Sequence, residues 1–310
     1  MANSATSSRS TLSAHGMSAA FEAPDQAEPA PPRRLPLRKL LYLAAGVLLA
    51  SGFLFPILWS VLTSFKTAAE ASASPPTWWP SRLSLENYVA LGHFGAGLGR
   101  YLWNSTCVSV MTVIGVLLFS IPAGYGFSKF RFAGKKLIFA VVLSTMMIPF
   151  QSILTPLFIL LRTLHLEDSL FGLALIYTTF QLPFSIFMMR NSFDSVPPEL
   201  EEAALLDGCS QLGCLWRILM PVVVPGMVTV ALFAFFTAWN ELLVALVLVS
   251  DPNKFTLPVL LQSAQSQFLG GIDWGLMQAG ISISVLPCAA LFLALQRFYI
   301  SGLIAGAVKA

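Results

Sequence analysis

The sequence predicts an all-α, polytopic membrane protein with six transmembrane helices, and three observations carry that prediction. Of the 310 residues, 56% are hydrophobic and 11% charged, where a soluble domain carries roughly 25% charged residues. Mean hydropathy is +0.74. Apolar runs of about 20 residues, long enough to cross a bilayer, recur along the chain between short charged segments. The net charge of +3 is small, so no nucleic-acid partner is implied.

Residues 1–36 are rich in Ser, Ala and Pro, lack an apolar period and read as a disordered tail. Residues 37–310 form the membrane domain. Arg33, Arg34, Arg38 and Lys39 precede the first apolar run, Leu40 to Phe65. That run is far longer than the apolar core of a signal peptide, about 7–15 residues, so it is read as a span. The segment 66–100 is polar, and its Trp78, Trp79 and Tyr88 suit a membrane–water boundary.

The second span is Tyr101 to Ser128, followed by the basic loop from Lys129 to Lys136. The third is Leu137 to Leu161, and the fourth Ser169 to Met189. A charged loop covers about 190–221. The fifth span is Pro221 to Ser250, and the sixth Trp274 to Gln296.

Lys and Arg set the orientation. With the N-terminus inside, thirteen of the eighteen lie on the inner side and five (Lys66, Arg82, Arg100, Arg162 and Lys254) on the outer. Both termini and the 190–221 loop are therefore expected in the cytoplasm. The loops at 66–100 and 251–273 are expected outside.

The sequence offers no catalytic, cofactor or metal site. Gly134-Lys135-Lys136 has Lys129 where a phosphate-binding loop needs its first glycine, and no Ser or Thr follows. His15, His93 and His165 are scattered. Cys107, Cys209, Cys214 and Cys288 lack metal-binding spacing. No nucleophile elbow is present. An enzyme or assembly factor is thus disfavoured.

Two regions stand out. Pro197 and Pro198 suit a helix start, and Glu199, Glu201 and Glu202 follow where the helix dipole favours acids. Ala203 to Leu206 are strong helix formers, and Gly208 suits a left-handed cap. Ser210 is expected to cap a second short helix that Pro221 ends. An ordinary amphipathic surface loop is the alternative. The other region is Asn240-Glu241, where Glu241 is the one acid well inside an apolar run. An intramembrane carboxylate is costly and faces a bundle interior or water. It can line a polar path, anchor helices by hydrogen bonds or relay protons. Gln151 and Gln181, with Asn104, Thr178 and Thr179, are further polar groups within spans.

The pattern Glu202-Ala203-Ala204, three residues including Asp207, Gly208, nine residues, Ile218, one residue, then Met220-Pro221 resembles the EAA loop of binding-protein-dependent ABC importer permeases. Met220 stands where Leu is usual and Cys209 where Ala is usual. Thr63-Ser64-Phe65-Lys66, Leu85-Glu86-Asn87-Tyr88, Pro122 to Ser128, Trp239-Asn240-Glu241 and Gly302 to Lys309 are similar to carbohydrate permeases of the maltose type.

The resemblance implies a type I importer permease fold in a cytoplasmic (inner) membrane. It implies a second homologous permease, two ABC ATPase subunits and an extracytoplasmic solute-binding protein as partners. It makes Glu202, Ala203, Ala204, Asp207, Gly208, Ile218 and Pro221 the ATPase-coupling residues, on a coupling helix. The 251–273 loop and the C-terminal tail become candidate contacts for the binding protein and the ATPase. Asn240, Glu241, Gln151 and Gln181 are the candidate substrate path. Sugars or polyols are the expected cargo, with glycerol phosphate or another solute as the alternative. A proton-coupled carrier using Glu241 is the rival mechanism.

Overall fold

A computed structural model describes residues 37–267 and 272–307. The expected tail, 1–36, lies outside the described residues. The chain divides after Ser51. The first unit contributes the apolar N-terminal part of α1 (Leu37–Ser64). The remaining elements belong to the second unit.

That unit continues with α2 (Ala68–Ala71), α3 (Glu86–His93), α4 (Leu98–Lys129), α5 (Lys135–Ser144), α6 (Leu154–Thr163) and α7 (Leu170–Asp194). Then come α8 (Pro198–Leu206), α9 (Gln211–Cys214), α10 (Met220–Asn240), α11 (Leu243–Leu248), α12 (Leu257–Gln267) and α13 (Trp274–Ala307). Among the described residues, five helical stretches are long and apolar enough to cross a membrane. A sixth exists if α5 and α6, with their flanking turns, are taken as one bent span.

The expected third span is therefore not one straight helix. Lys135–Met147 and Phe150–Thr163 meet at 93°. Pro149 causes the break. It lacks an N–H, and its ring drives Ile148 out of the helical region, to φ −75° and ψ 119°. The expected fifth span is also divided. Glu241 is extended, at φ −75° and ψ 125°, and α11 begins two residues later. The second short helix of the charged loop does not end at Pro221. α9 passes through a π turn, Leu215–Leu219, into α10, and Pro221 sits in the first turn of α10. The proline has no N–H to donate, and the wider π turn just before it, where the Met220 N–H donates to the Leu215 carbonyl, accommodates it.

α4 and α7 pack along one another, and α10 lies against both. One apolar cluster joins Val116, Ile121 and Tyr125 of α4 to Met189 and Phe193 of α7, and to Ala204, Leu219 and Val230. A second joins Val108 to Leu173, Tyr177, Val244 and Val259. A third gathers Tyr101, Trp239, Leu257 and Leu276, which brings α12 and α13 against α4 and α10. Outside these clusters Trp103, Ile114, Leu118, Leu286 and Leu293 are exposed, an apolar exterior suited to hydrocarbon.

The α4–α7 seam depends on Gly124. A Cβ there would lie 2.5 Å from Met189 Cβ and 2.9 Å from the Arg190 backbone nitrogen. At Gly126, two residues on, a Cβ meets nothing within 4 Å. Overpacking of this kind costs about 1–3 kcal/mol. Gly124→Ala is therefore expected to lower the unfolding temperature in detergent, while Gly126→Ala leaves it nearly unchanged. Equal shifts would refute the tight seam.

Candidate functional site

The charged loop between α7 and α10 folds into a helical hairpin. Pro198 opens α8 with Glu199 and Glu201 in its first turn, where the helix dipole favours them. Gly208 adopts φ +83°, a conformation that costs glycine little. The Gly208 and Cys209 N–H groups donate to the carbonyls of Leu205 (3.1 Å) and Ala204 (3.0 Å), closing the helix end. The Gly213 N–H donates to Ser210 Oγ at 3.1 Å, capping α9.

Burial divides the hairpin into two faces. Ala204 is buried, and Ile218 packs half-buried against the same cluster. Glu202, Ala203, Asp207, Gly208 and Pro221 are exposed. So are three large apolar side chains, Leu206 at 89%, Leu212 at 68% and Trp216 at 60%. Isolated exposed apolar residues are ordinary, but several on one charged hairpin form the kind of patch that meets another protein or a membrane surface.

The polar groups inside the spans are dispersed. Tyr177 Oη donates to Glu241 Oε2 at 2.7 Å. The same carboxylate accepts from the N–H groups of Val244 and Ala245. Glu241 thus bridges α7 and caps α11 at the break. The Asn240 amide donates to its own helix, to the Phe236 carbonyl at 2.8 Å, and is exposed. Gln151 lies exposed in the turn before α6. Gln181 lines a cavity of 710 Å³ between the bent α5–α6 pair, α7 and α10, together with Thr145, Phe150, Thr179, Phe184 and Thr237. Thr237 Oγ1 donates to Gln181 Oε1 at 3.3 Å. Of the four expected path residues, Gln181 is the one on this cavity wall. Among the described residues no group of three or more metal-ligating side chains is assembled.

Residues 116–303 match the family of binding-protein-dependent transport system inner membrane components. The chain belongs to that family. Among similar proteins are the sulfoquinovosyl glycerol transport system permease of Agrobacterium fabrum, 35% identical over 88% of this chain and 94% of its own. The diacetylchitobiose uptake system permease DasC of Streptomyces coelicolor is 33% identical, over 85% and 95%. A bacterial ABC transporter that imports the acidic polysaccharide alginate shares the fold, with a TM-score of 0.74 at 24% identity, covering 86% of this chain and 99% of that one. The type I importer permease fold is thereby established for this inner membrane component.

At the end of the membrane component opposite the hairpin, a polar clamp joins three segments. Asp168, in the left-handed region at φ 51°, accepts from the Ser250 and Asp251 N–H groups at 2.9 and 3.0 Å. Lys254 Nζ lies 3.0 Å from its other oxygen. Asn104 donates to the Asn253 and Phe255 carbonyls at 2.8 and 2.9 Å. Ser105 Oγ accepts from the Leu257 N–H at 2.8 Å. Lys66 is buried as well, donating to the Thr77 carbonyl and lying 4.7 Å from the Trp59 ring centroid. Glu70 beside it accepts from Ser81 and Thr77. These bonds, with the nearby Lys66 charge, outweigh burial and hold its carboxyl below the usual range.

Sequence reasoning missed Tyr177, Asp168, Lys254 and the inward role of Glu201. For Glu201 a signal was present: it stands three residues before Ala204, on the same helix face. The others are contacts across long sequence separations, with no local signature.

Asp168 gives a pH prediction. Burial raises its pKa, but the Asp251 and Ser250 N–H groups and the Lys254 ammonium outweigh burial and place it below the ordinary 3.8. A carboxyl lowered on folding adds stability at every pH above its unfolded value, and this is lost as pH falls through the folded value. The unfolding-temperature gap between wild type and Asp168→Asn should therefore be full at pH 7 and narrow below about pH 4. A gap independent of pH would refute the assignment.

Proposed function

We propose that this chain is the permease subunit of an ATP-driven importer for sugars or related polyols. It pairs with a second homologous permease, receives its cargo from an extracytoplasmic binding protein and is powered by two separate ATPase subunits. The hairpin of α8 and α9 is the coupling element, on the cytoplasmic side with both termini. The observation that carries this reading is its outward face, where Glu202 and Asp207 flank exposed Leu206, Leu212 and Trp216. The sequence has no phosphate-binding loop of its own, so energy from ATP would arrive through a protein surface, and this one is capped and exposed. The carbohydrate cargo is supported by the two permease relatives, one named for a sulfoquinovosyl glycerol and one for diacetylchitobiose.

In this reading the exposed Glu202 pairs with a basic group of the ATPase. Leaving such a desolvated charge unpaired costs about 2–5 kcal/mol. Since about 1.4 kcal/mol is a factor of ten, Glu202→Lys should lower uptake at least roughly tenfold. Its level in the membrane should match wild type on immunoblots of membrane fractions. Normal uptake by this variant would sink the coupling role.

Glu241 separates this mechanism from proton coupling. Its carboxylate is engaged by Tyr177 and by the start of α11, which supports an anchoring role. Uptake in proteoliposomes is expected to need ATP inside, to stop with vanadate and to survive an uncoupler. Uptake that ignores vanadate and collapses with the uncoupler would favour the carrier.

A further inference from the structure

The coupling hairpin has a second, inward-facing acid. Tyr125 Oη, near the end of α4, donates to Glu201 Oε1 at 3.2 Å. Lys129 Nζ, in the last turn of α4, lies 3.7 Å from Glu201 Oε2. The same ammonium donates to the Val196 carbonyl at 3.2 Å, just before α8. The Lys129 and Glu201 side chains are only 12% and 18% exposed. Tyr125 also packs edge-on against Phe193 at 5.6 Å, and Ala204 lies in the same apolar cluster. Adjacent to this node, Ser128 Oγ donates to Asp194 Oδ1 at 2.6 Å. The first end of α4 is tied as firmly, through Asn104 and Ser105, to the backbone of residues 253, 255 and 257. Between the two attachments runs one continuous helix, 32 residues in all.

We infer that Glu201 is a positioning residue that joins α8 to α4, and that α4 carries displacement of the coupling hairpin to the 251–257 segment at the opposite end of the permease. The covalent route from α8 toward α10 passes through Gly208, an exposed turn at φ +83° whose Cβ position meets nothing within 4 Å. The Glu201 node bypasses that turn and reaches a helix belonging to all three apolar clusters. A shift of α8 therefore either drags the end of α4 or breaks a half-buried ion pair and a hydrogen bond together. Neutralising Glu201 or removing the Tyr125 hydroxyl weakens this tie, leaving the Lys129 bond to the Val196 carbonyl and the packing of Ala204.

This inference rests on the hairpin being the ATPase-docking element, and the test separates the two. The complex purified with its ATPase is placed in nanodiscs and trapped with ATP and vanadate. Hydrogen–deuterium exchange is then followed at 198–208 and at 251–257. In wild type both segments should change protection on trapping. In Glu201→Gln and in Tyr125→Phe the change at 198–208 should persist while that at 251–257 falls by roughly half or more. The double variant should lose no more than the more affected single one, because both act through one contact. Tyr125→Phe removes only a hydroxyl, so it keeps the test valid if Glu201→Gln fails to assemble. A wild-type response at 251–257 in the variants overturns the inference and leaves docking intact. No response at 198–208 in wild type overturns both.

Discussion

The close approach of α4 to α7 is the constraint on which the rest depends. In hydrocarbon no hydrophobic force drives helices together, so packing at small residues and interhelical hydrogen bonds must do so. Gly124 supplies that approach, since any side chain there meets the α7 backbone. With the seam closed, α4 and α7 share two apolar clusters. α10 then lies across both, and α12 and α13 complete the third cluster around Trp239. Trp239 Nε1 donates to the Ser284 carbonyl at 3.1 Å, so α13 is held by a hydrogen bond as well as by packing.

Against this seam the irregular segments make sense as places where freed backbone groups find partners. Non-helical backbone at membrane depth is tolerated only when buried in protein or lining a wet cavity. The break at Pro149 borders the 710 Å³ cavity. The break at Glu241 is satisfied by the carboxylate itself, which accepts from the first N–H groups of α11 while Tyr177 fixes its position. An acid in an apolar run is thus explained as the cap of a helix that starts inside the protein. The cavity beside the Pro149 break is lined mostly by apolar side chains, with Thr145, Thr179, Gln181 and Thr237 as its polar groups.

The two ends of the bundle differ in chemistry in a way that fits transport. One end is closed by the polar clamp around Asp168, Lys254 and Asn104, which fixes backbone carbonyls and N–H groups rather than offering free side chains. The other presents a capped hairpin whose outward face is exposed while its inward face is fastened to α4. Glu201 and Glu202 are neighbours in sequence, yet one is half-buried against Tyr125 and Lys129 and the other is exposed. Adjacent acids on one short helix therefore face different surroundings, one the bundle and the other the exterior.

By itself the sequence determined the fold class, the number and order of apolar segments, and the capped hairpin with its left-handed glycine. These are local properties, written in hydropathy, in proline and glycine positions and in spacing from Glu202 to Pro221. It also carried the family resemblance that residues 116–303 bear out. Tertiary structure decided where the spans break, since a proline or an acid in an apolar run is compatible with both a straight and a bent helix. It decided too that Glu241 meets Tyr177, 64 residues away, and that Glu201 meets Tyr125, 76 residues away. Such partners are set by how helices rotate and approach in the packed bundle. One turned residue exchanges a partner for lipid or water, and no single-chain periodicity records which neighbour the helix will find.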